Sequence, residues 1–460
     1  MMYKHGLIWL RRDLRLVDNQ ALNQAAACSQ QMSVVFVLDT CILQSLPPTD
    51  QRVAFIMDAI RDIHADLVAQ GSGLIVVHGD PVVAIPAIVQ ELGVDAVFFN
   101  RDYEPYAVKR DAMVMERVGV PVHTAKDTVI FESNEVLSKT GTTYKVYTPY
   151  KNQWLREFSS RPVVPLGELS QPVWASIPEG VTVYSDNWYS RLGFTNRQAF
   201  LPGGRKPALA RMAQWASRMG GYHTYRDIPS LAHTSMLSPY IRFGCVSIRE
   251  LVAMAWRYKG DAGADVWLSE LIWRDFYQMI VATHPQCDRQ SIKPEYVAIP
   301  WEGRSEWFEA WCAGQTGYPI VDAAMRQLNT TGLMHNRCRM IVASFLCKTL
   351  LVDWRRGEAY FAEKLLDFDF ASNNGGWGWA SSSGCDAQPY FRIFNPTLQS
   401  QKFDPDGHYS RQYCPELAGL NAKQIHAPQG VLAYPEPIVD YADMRQRALV
   451  LFSHYVKQTA

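Results

Sequence analysis

Residues 1–130 alternate short apolar runs with amphipathic stretches, and this rhythm restricts the fold more than any other feature of the chain. Gly6–Leu10, Ser33–Leu38, Gly73–Val77 and Ala96–Phe99 are apolar runs of strand length, while Arg52–Ala69 and Val82–Leu92 carry helical periodicity. Near-continuous apolar strands separated by amphipathic helices satisfy both sheet faces when the sheet is parallel and covered on either side. The expectation is an α/β, Rossmann-like domain over 1–130. Ligands in such folds bind beyond the C-terminal strand ends, which here carry Arg11-Arg12-Asp13, Asp39, Gly79-Asp80 and Asn100-Arg101-Asp102. The absence of GxGxxG argues against a dinucleotide there.

The rhythm stops near residue 131. Pro162, Pro165, Pro172 and Pro178 fall in a stretch with few apolar periods, read as an irregular connector over 131–204. From 205 to 460 the pattern is helical throughout. Lys206–Gly220, Ser247–Tyr258, Ala264–Thr283, Tyr318–Asn329, Arg337–Leu351 and Gly357–Leu366 show 3.6-residue periodicity, and Ser247 with Glu250 has capping-box spacing. An all-α second domain follows from this.

Charge and cysteine content exclude several classes. Lys+Arg and Asp+Glu are equal at 45 each, so any nucleic-acid contact has to be a local patch and not a basic coat. Nine cysteines without a CxxC argue against a disulfide framework and a zinc site. Charged Arg11, Arg12, Asp13 and Arg15 interrupt the first apolar run too early for a signal peptide. No run of 18 apolar residues is available to span a bilayer. A cytoplasmic location with no membrane partner is expected. Ten of the 14 tryptophans lie between 201 and 400, which fits an aromatic-lined pocket as well as ordinary core packing.

Three stretches carry chemistry. In WLSELIWRDFY, Glu270, Trp273, Arg274 and Tyr277 share one helical face holding a carboxylate, an aromatic plane and a guanidinium; a surface Glu–Arg pair beside a core Trp is the plainer reading. In MHNRCRM, Asn336 and Met340 are i, i+4, with Asn336 equally readable as a cap and Arg337 and Arg339 as solvated charges. In DFDFASNNGGWGWA, Asp367 and Asp369 precede Asn373-Asn374-Gly375-Gly376, read as a tight or closely approached loop, and then Trp377 and Trp379. Two carboxylates without a histidine do not make a metal site.

Together with WLRRDLRLVDNQAL, TGYPIVDAAMRQL, FRIFNP and QKFDPDG, these stretches resemble the class I cyclobutane pyrimidine dimer photolyases of the photolyase/cryptochrome family, over nearly the whole chain. The resemblance implies an N-terminal antenna domain and a helical domain binding FAD, reduced and folded back on itself. Light-driven electron donation to a pyrimidine dimer flipped out of DNA follows from it, with the cofactor supplying the photochemistry. By that resemblance Tyr222, Thr234, Ser235, Met236, Leu237, Ser238, Trp267, Arg274, Arg339, Asp367 and Asp369 hold the flavin, and Asn373 faces its N5. Glu270, Asn336 and Met340 meet the dimer. Trp273 and Trp379 stack on it. Arg226, Arg337 and Arg392 contact phosphates. Trp377, Trp354 and Trp301 form an electron-transfer chain.

The second chromophore is left open between a deazaflavin, methenyltetrahydrofolate, a flavin and none. Tyr106-Ala107 stands where folate-binding members carry Asn-Glu, and Arg52, Asp102 and Glu104 look more like deazaflavin-binding members. The alternative readings are a cryptochrome photoreceptor, a (6-4) photoproduct enzyme, disfavoured by the single His335 in its stretch, and an inert flavoprotein or chaperone-like binder. A monomer without an obligate protein partner is expected.

Overall fold

The computed structural model describes residues 2–195 and 198–457. Strands β1 (Tyr3–Leu10), β2 (Ser29–Asp39), β3 (Leu74–Gly79), β4 (Ala96–Asn100) and β5 (Val122–Ala125) form one parallel sheet in the order β3-β2-β1-β4-β5. Central β1 is buried without a break from His5 to Leu10, as a strand covered on both faces must be. Helices Gln20–Cys28, Gln51–Val68, Pro81–Leu92 and Pro105–Arg117 provide the crossovers. Asn19, Asp50 and Asp80 accept backbone N–H groups at the first three helix starts, satisfying donors that have no intrahelical partner.

The chain packs as two compact units, and neither is a single run. The first comprises 1–137, 151–219 and 235–278; the second comprises 138–150, 220–234 and 279–460. The sequence boundaries at 130 and 204 therefore both fall inside the first unit. Buried ion pairs explain why 235–278 belongs there. Arg249 bonds Asp18 at 3.0 Å and Asp127 at 2.6 Å, and Arg15 bonds Asp127 at 2.6 Å. Guanidiniums and carboxylates this deeply buried are held only where every partner is present.

The expected connector is not irregular throughout. Tyr147–Ser160 is a helix. Its Pro149 sits in the first turn, where a missing N–H costs nothing. Farther on, Trp174 and Val183 bridge to Met32 and Ile75, so this segment pairs with the sheet.

Asp275, in the helix Ala262–Thr283, latches these pieces of the first unit. Its Oδ2 accepts from Trp154 Nε1 at 3.0 Å and from the N–H of Ile130 at 3.2 Å and of Phe131 at 3.4 Å. Burial outweighs these donors and pushes its pKa up to about 6. The folded state therefore binds an extra proton between the ordinary carboxylate value and about 6. Stability falls as pH rises through that window and is level above it. We expect Asp275→Asn to remove this slope, worth roughly 3 kcal/mol over the whole window and about 2 kcal/mol between pH 4.5 and 7, as checked by urea unfolding at those two pH values.

The second unit is helical: Ser305–Ala313, Pro319–Thr331, Asn336–Ser344, Trp354–Lys364, Phe370–Ser381, Pro396–Phe403, His408–Tyr413 and Tyr441–Lys457. Asn336–Ser344 continues into a π-helical turn, Phe345–Thr349. The Asn373–Gly376 stretch read as a loop lies inside the helix Phe370–Ser381. Asp369 starts that helix by accepting Ser372 N–H at 2.9 Å. The close approach expected of its glycines occurs farther along, where Gly384 N–H bonds Gly378 O at 2.9 Å and a Cβ on Gly378 would lie 3.0 Å from Gly384 Cα. Among the described residues no helix is long and apolar enough to cross a membrane, and no His/Cys/Asp/Glu group could hold a metal ion.

Candidate functional site

The candidate residues divide between the two units, and each set has its own geometry. In the second unit the helix Asn336–Ser344 is capped by His335, whose Nδ1 accepts Arg337 N–H at 3.2 Å. His335, and not Asn336, is the cap. This frees Asn336, the first helical residue, to stay exposed with its amide 3.9 Å from Met340 Sδ. Burial, above all, pushes the His335 pKa down to about 4, so the ring is neutral near pH 7 with one nitrogen already spent.

One turn on, Arg339 Nη2 holds both oxygens of buried Asp367 at 2.8 and 3.0 Å, and its Nε donates to Met334 O at 2.9 Å. Arg337 pairs with Asp227 at 3.0 Å and lies over the Phe403 ring. Arg226 lies over Tyr222. Arg392 is exposed.

Asn373 is the most informative side chain. It is 8% exposed, and its Nδ2 donates to Glu358 O at 3.1 Å. That bond fixes the amide so that the carbonyl Oδ1 is the end left open, and among the described residues no group donates to it. The neighbouring Asn374 donates to Glu358 Oε1 and Cys287 O, both at 2.9 Å. Burial raises the Glu358 pKa to about 7 despite the Asn374 donor. Sequence reasoning missed Glu358; its only signal was a place one turn after Trp354 in the same helix.

Trp377 lies one turn beyond Asn373 and is buried. Its ring meets Phe361 edge-on at 5.1 Å and Trp311 at 6.1 Å. Trp354 is buried at the start of its helix, and half-buried Trp301 packs against Phe452 at 6.1 Å. Trp379 is half-buried against Phe394. Gly357 makes room for Trp377: a Cβ there would stand 2.1 Å from the indole Cη2 and 2.6 Å from Leu346 Cδ2. Alanine would gain about 1 kcal/mol of helix propensity, but overpacking costs about 1–3 kcal/mol and wins. Gly357→Ala is expected to lower the melting temperature and shift Trp377 fluorescence.

In the first unit, Glu270, Trp273, Arg274 and Tyr277 are all half-buried along one face of the helix Ala262–Thr283, as their spacing predicts. Trp273 lies 5.3 Å from Tyr277, and Arg274 donates to Thr128 O. Trp267 is buried against Trp215. In the turn leading to Ser238, Met236 has a left-handed φ of 54° and Leu237 is right-handed at φ −94°, ψ −7°. Alternating hands turn successive N–H groups to one side, a shape that suits an anion. Thr234, in the second unit, is half-buried.

At the β1/β4 strand ends, Arg12 bridges Asp102 at 3.2 Å and Glu104 at 2.7 Å, and Arg242 also holds Glu104 at 2.7 Å. Burial pushes the Asp102 carboxyl up, but Arg12 and its neighbouring guanidiniums outweigh it and hold the pKa near 2. Arg52 is paired with Asp50. The structure thus joins Asp102 and Glu104 through one arginine and gives Arg52 a different partner.

Two family models match the chain: "DNA photolyase" over residues 6–170 and "FAD binding domain of DNA photolyase" over residues 267–454. A deoxyribodipyrimidine photo-lyase of Synechococcus sp. is 38% identical over 467 residues, covering 96% of this chain and 94% of its own. Among solved structures, a bacterial class III photolyase from Agrobacterium tumefaciens aligns with TM-score 0.88 at 32% identity, covering 100% of this chain and 98% of its own. A cryptochrome from Synechocystis sp. aligns with TM-score 0.85 at 25% identity, covering 98% and 99%.

Proposed function

This chain belongs to the DNA photolyase family, and from that membership we propose that it repairs cyclobutane pyrimidine dimers in DNA by light, with reduced FAD as its cofactor. The observation that carries the reading is Asn373, whose amide is anchored through Nδ2 so that Oδ1 is the open acceptor. An acceptor fixed in that sense fits a flavin N5–H and favours the reduced cofactor. When bound, FAD supplies the photoexcited electron; position and water exclusion come from the chain.

The Arg339–Asp367 pair gives one fixed charge and a carboxylate with acceptor capacity for the isoalloxazine edge or ribose. Asp369 is occupied as a helix cap and acts through the start of that helix. Trp267, Arg274 and the Ser235–Ser238 turn complete the assignment on the first unit, the turn through its N–H groups. Tyr222 and Thr234 belong to the same set. Trp377, Trp354 and Trp301 are assigned to carry electrons from solvent.

Glu270 and Asn336 are assigned to hydrogen-bond the dimer bases, with Met340 packed beside Asn336. Trp273 and Trp379 are assigned to stack on them, each stack contributing about 1–3 kcal/mol. Arg226, Arg337 and Arg392 are assigned to phosphates, fixing register without reading sequence. The state of His335 favours the cyclobutane dimer over the (6-4) product: a neutral ring with Nδ1 engaged is poorly suited to proton transfer near pH 7. Class I membership, a second chromophore (a deazaflavin or methenyltetrahydrofolate) at Arg52, Asp102 and Glu104, a monomeric state and a cytoplasmic location are part of the same proposal.

The test is Glu270→Ala in the flavin-loaded, reduced protein. Repair of thymine dimers per photon should fall about tenfold, the loss of one well-placed hydrogen bond to developing charge, with flavin content unchanged. Undiminished repair would remove Glu270 from the lesion site.

A further inference from the structure

Among the described residues, Lys348 is the one lysine buried in the second unit's core, and nothing above uses it. It lies in the π-helical turn Phe345–Thr349 with 0% of its surface exposed. Its Nζ is 3.2 Å from Arg392 O and 3.5 Å from Pro389 O. Those carbonyls are the first and last of a tight turn, closed by Arg392 N–H donating to Pro389 O at 3.0 Å. The ammonium therefore grips both ends of one turn.

The turn's two central residues face opposite ways. Tyr390 stacks inward on Phe452, centroids 6.3 Å apart and 13° from parallel. Phe391 is 59% exposed, with exposed Arg392 beside it. Both flanks are tied to the helix that carries Trp379: Gln388 donates to Ala380 O at 3.3 Å, and Phe394 meets the Trp379 ring at 6.3 Å. Burying an ammonium is costly. Burial, with Lys293 and Arg392 nearby, pushes the Lys348 pKa down to about 7. Methionine would fill the same space without that cost, so simple packing does not explain a lysine here.

We infer that Lys348 is a positioning residue, which holds the Pro389–Arg392 turn in the shape that presents the Phe391 ring and the Arg392 guanidinium to DNA beside Trp379. This rests on the repair reading above. An exposed aromatic next to a phosphate-seeking arginine suits the gap that a flipped-out lesion leaves in a duplex, where a ring can replace lost stacking.

The experiment compares native protein, K348M and K348Q, flavin-loaded and reduced, on a duplex with one thymine dimer and on the intact duplex. K348M should weaken lesion binding about tenfold, within the range of one lost stack, and leave repair at saturating DNA within about twofold. K348Q, which keeps a donor, should fall between. In an F391A/R392A background K348M should add nothing, because the turn it positions has lost its contacts. Native-like lesion binding by K348M, or an equal loss in the F391A/R392A background, would overturn the inference. If K348M does not fold, K348Q in both backgrounds decides the matter. Failure of the native reduced protein to repair the dimer at all would count against the functional reading instead, since the Lys348 comparison is made in binding.

Discussion

Trp377→Phe is expected to abolish light-driven reduction of the oxidised, flavin-loaded protein while repair by chemically reduced protein continues. Trp377 follows Asn373 by four residues on one helix, so the two side chains share a face. The indole is buried and in edge contact with two further aromatic rings, which gives an electron a low-energy stop that a phenyl ring does not offer. Phenylalanine keeps most of the apolar volume, and the smaller ring should cost about 1–2 kcal/mol of stability, too little to unfold the chain. Absorbance of the oxidised flavin under blue light with a thiol reductant reads the first half of the prediction; repair after dithionite treatment reads the second. Normal photoreduction in Trp377→Phe would remove this residue from the route. Trp301→Phe should behave in the same way at the solvent end of the assigned chain.

Asp322→Ala should cost about 3–5 kcal/mol, the range for stripping one partner from a buried polar cluster. Asp322 is fully buried and accepts from Thr316 N–H at 2.7 Å, Thr316 Oγ1 at 2.6 Å, Gly317 N–H at 3.0 Å and the Tyr434 hydroxyl. Alanine would orphan all four donors in the core. It would also release the turn before the helix Pro319–Thr331, where Gly317 stands at φ 80° with the backbone of Glu436 and Pro437 against it. Denaturant unfolding followed by tryptophan fluorescence should show the loss, with flavin released at lower denaturant. A change under about 0.5 kcal/mol, the level of ordinary surface substitutions, would show that the cluster is not holding the fold.

The Asp322 cluster also shows how far the sequence could be read. TGYPIVDAAMRQL is among the most specific stretches of the chain, yet in the structure its Thr316, Gly317 and Asp322 build a turn, bonding one another and the Tyr434 hydroxyl. The strands were legible because burial on both faces makes a continuous apolar run; β5, an edge strand reading VHTA with every residue half-buried, has no such signature. The helix Phe370–Ser381 was hidden because two asparagines and two glycines in a row have poor helix propensity, and only the Asp369 cap and the packing of Trp377 overcome it. The face Glu270–Trp273–Arg274–Tyr277 was legible because its members lie on one helix. Glu358, Trp311 and Lys348 were not, because each matters through a partner 15 to 66 residues away. That is tertiary information with no local pattern. The same is true of the discontinuous units, whose limits follow buried ion pairs such as Arg249 with Asp18.

The central claim is that reduced flavin in this chain gives an electron to a cyclobutane dimer. The most direct measurement is illumination of the reduced protein with an oligonucleotide carrying one thymine cyclobutane dimer, followed by chromatography of the DNA. The account predicts that two intact thymines reappear, only in the light and only with reduced flavin. A dimer left unchanged under those conditions, or consumption of a (6-4) product in its place, would contradict it.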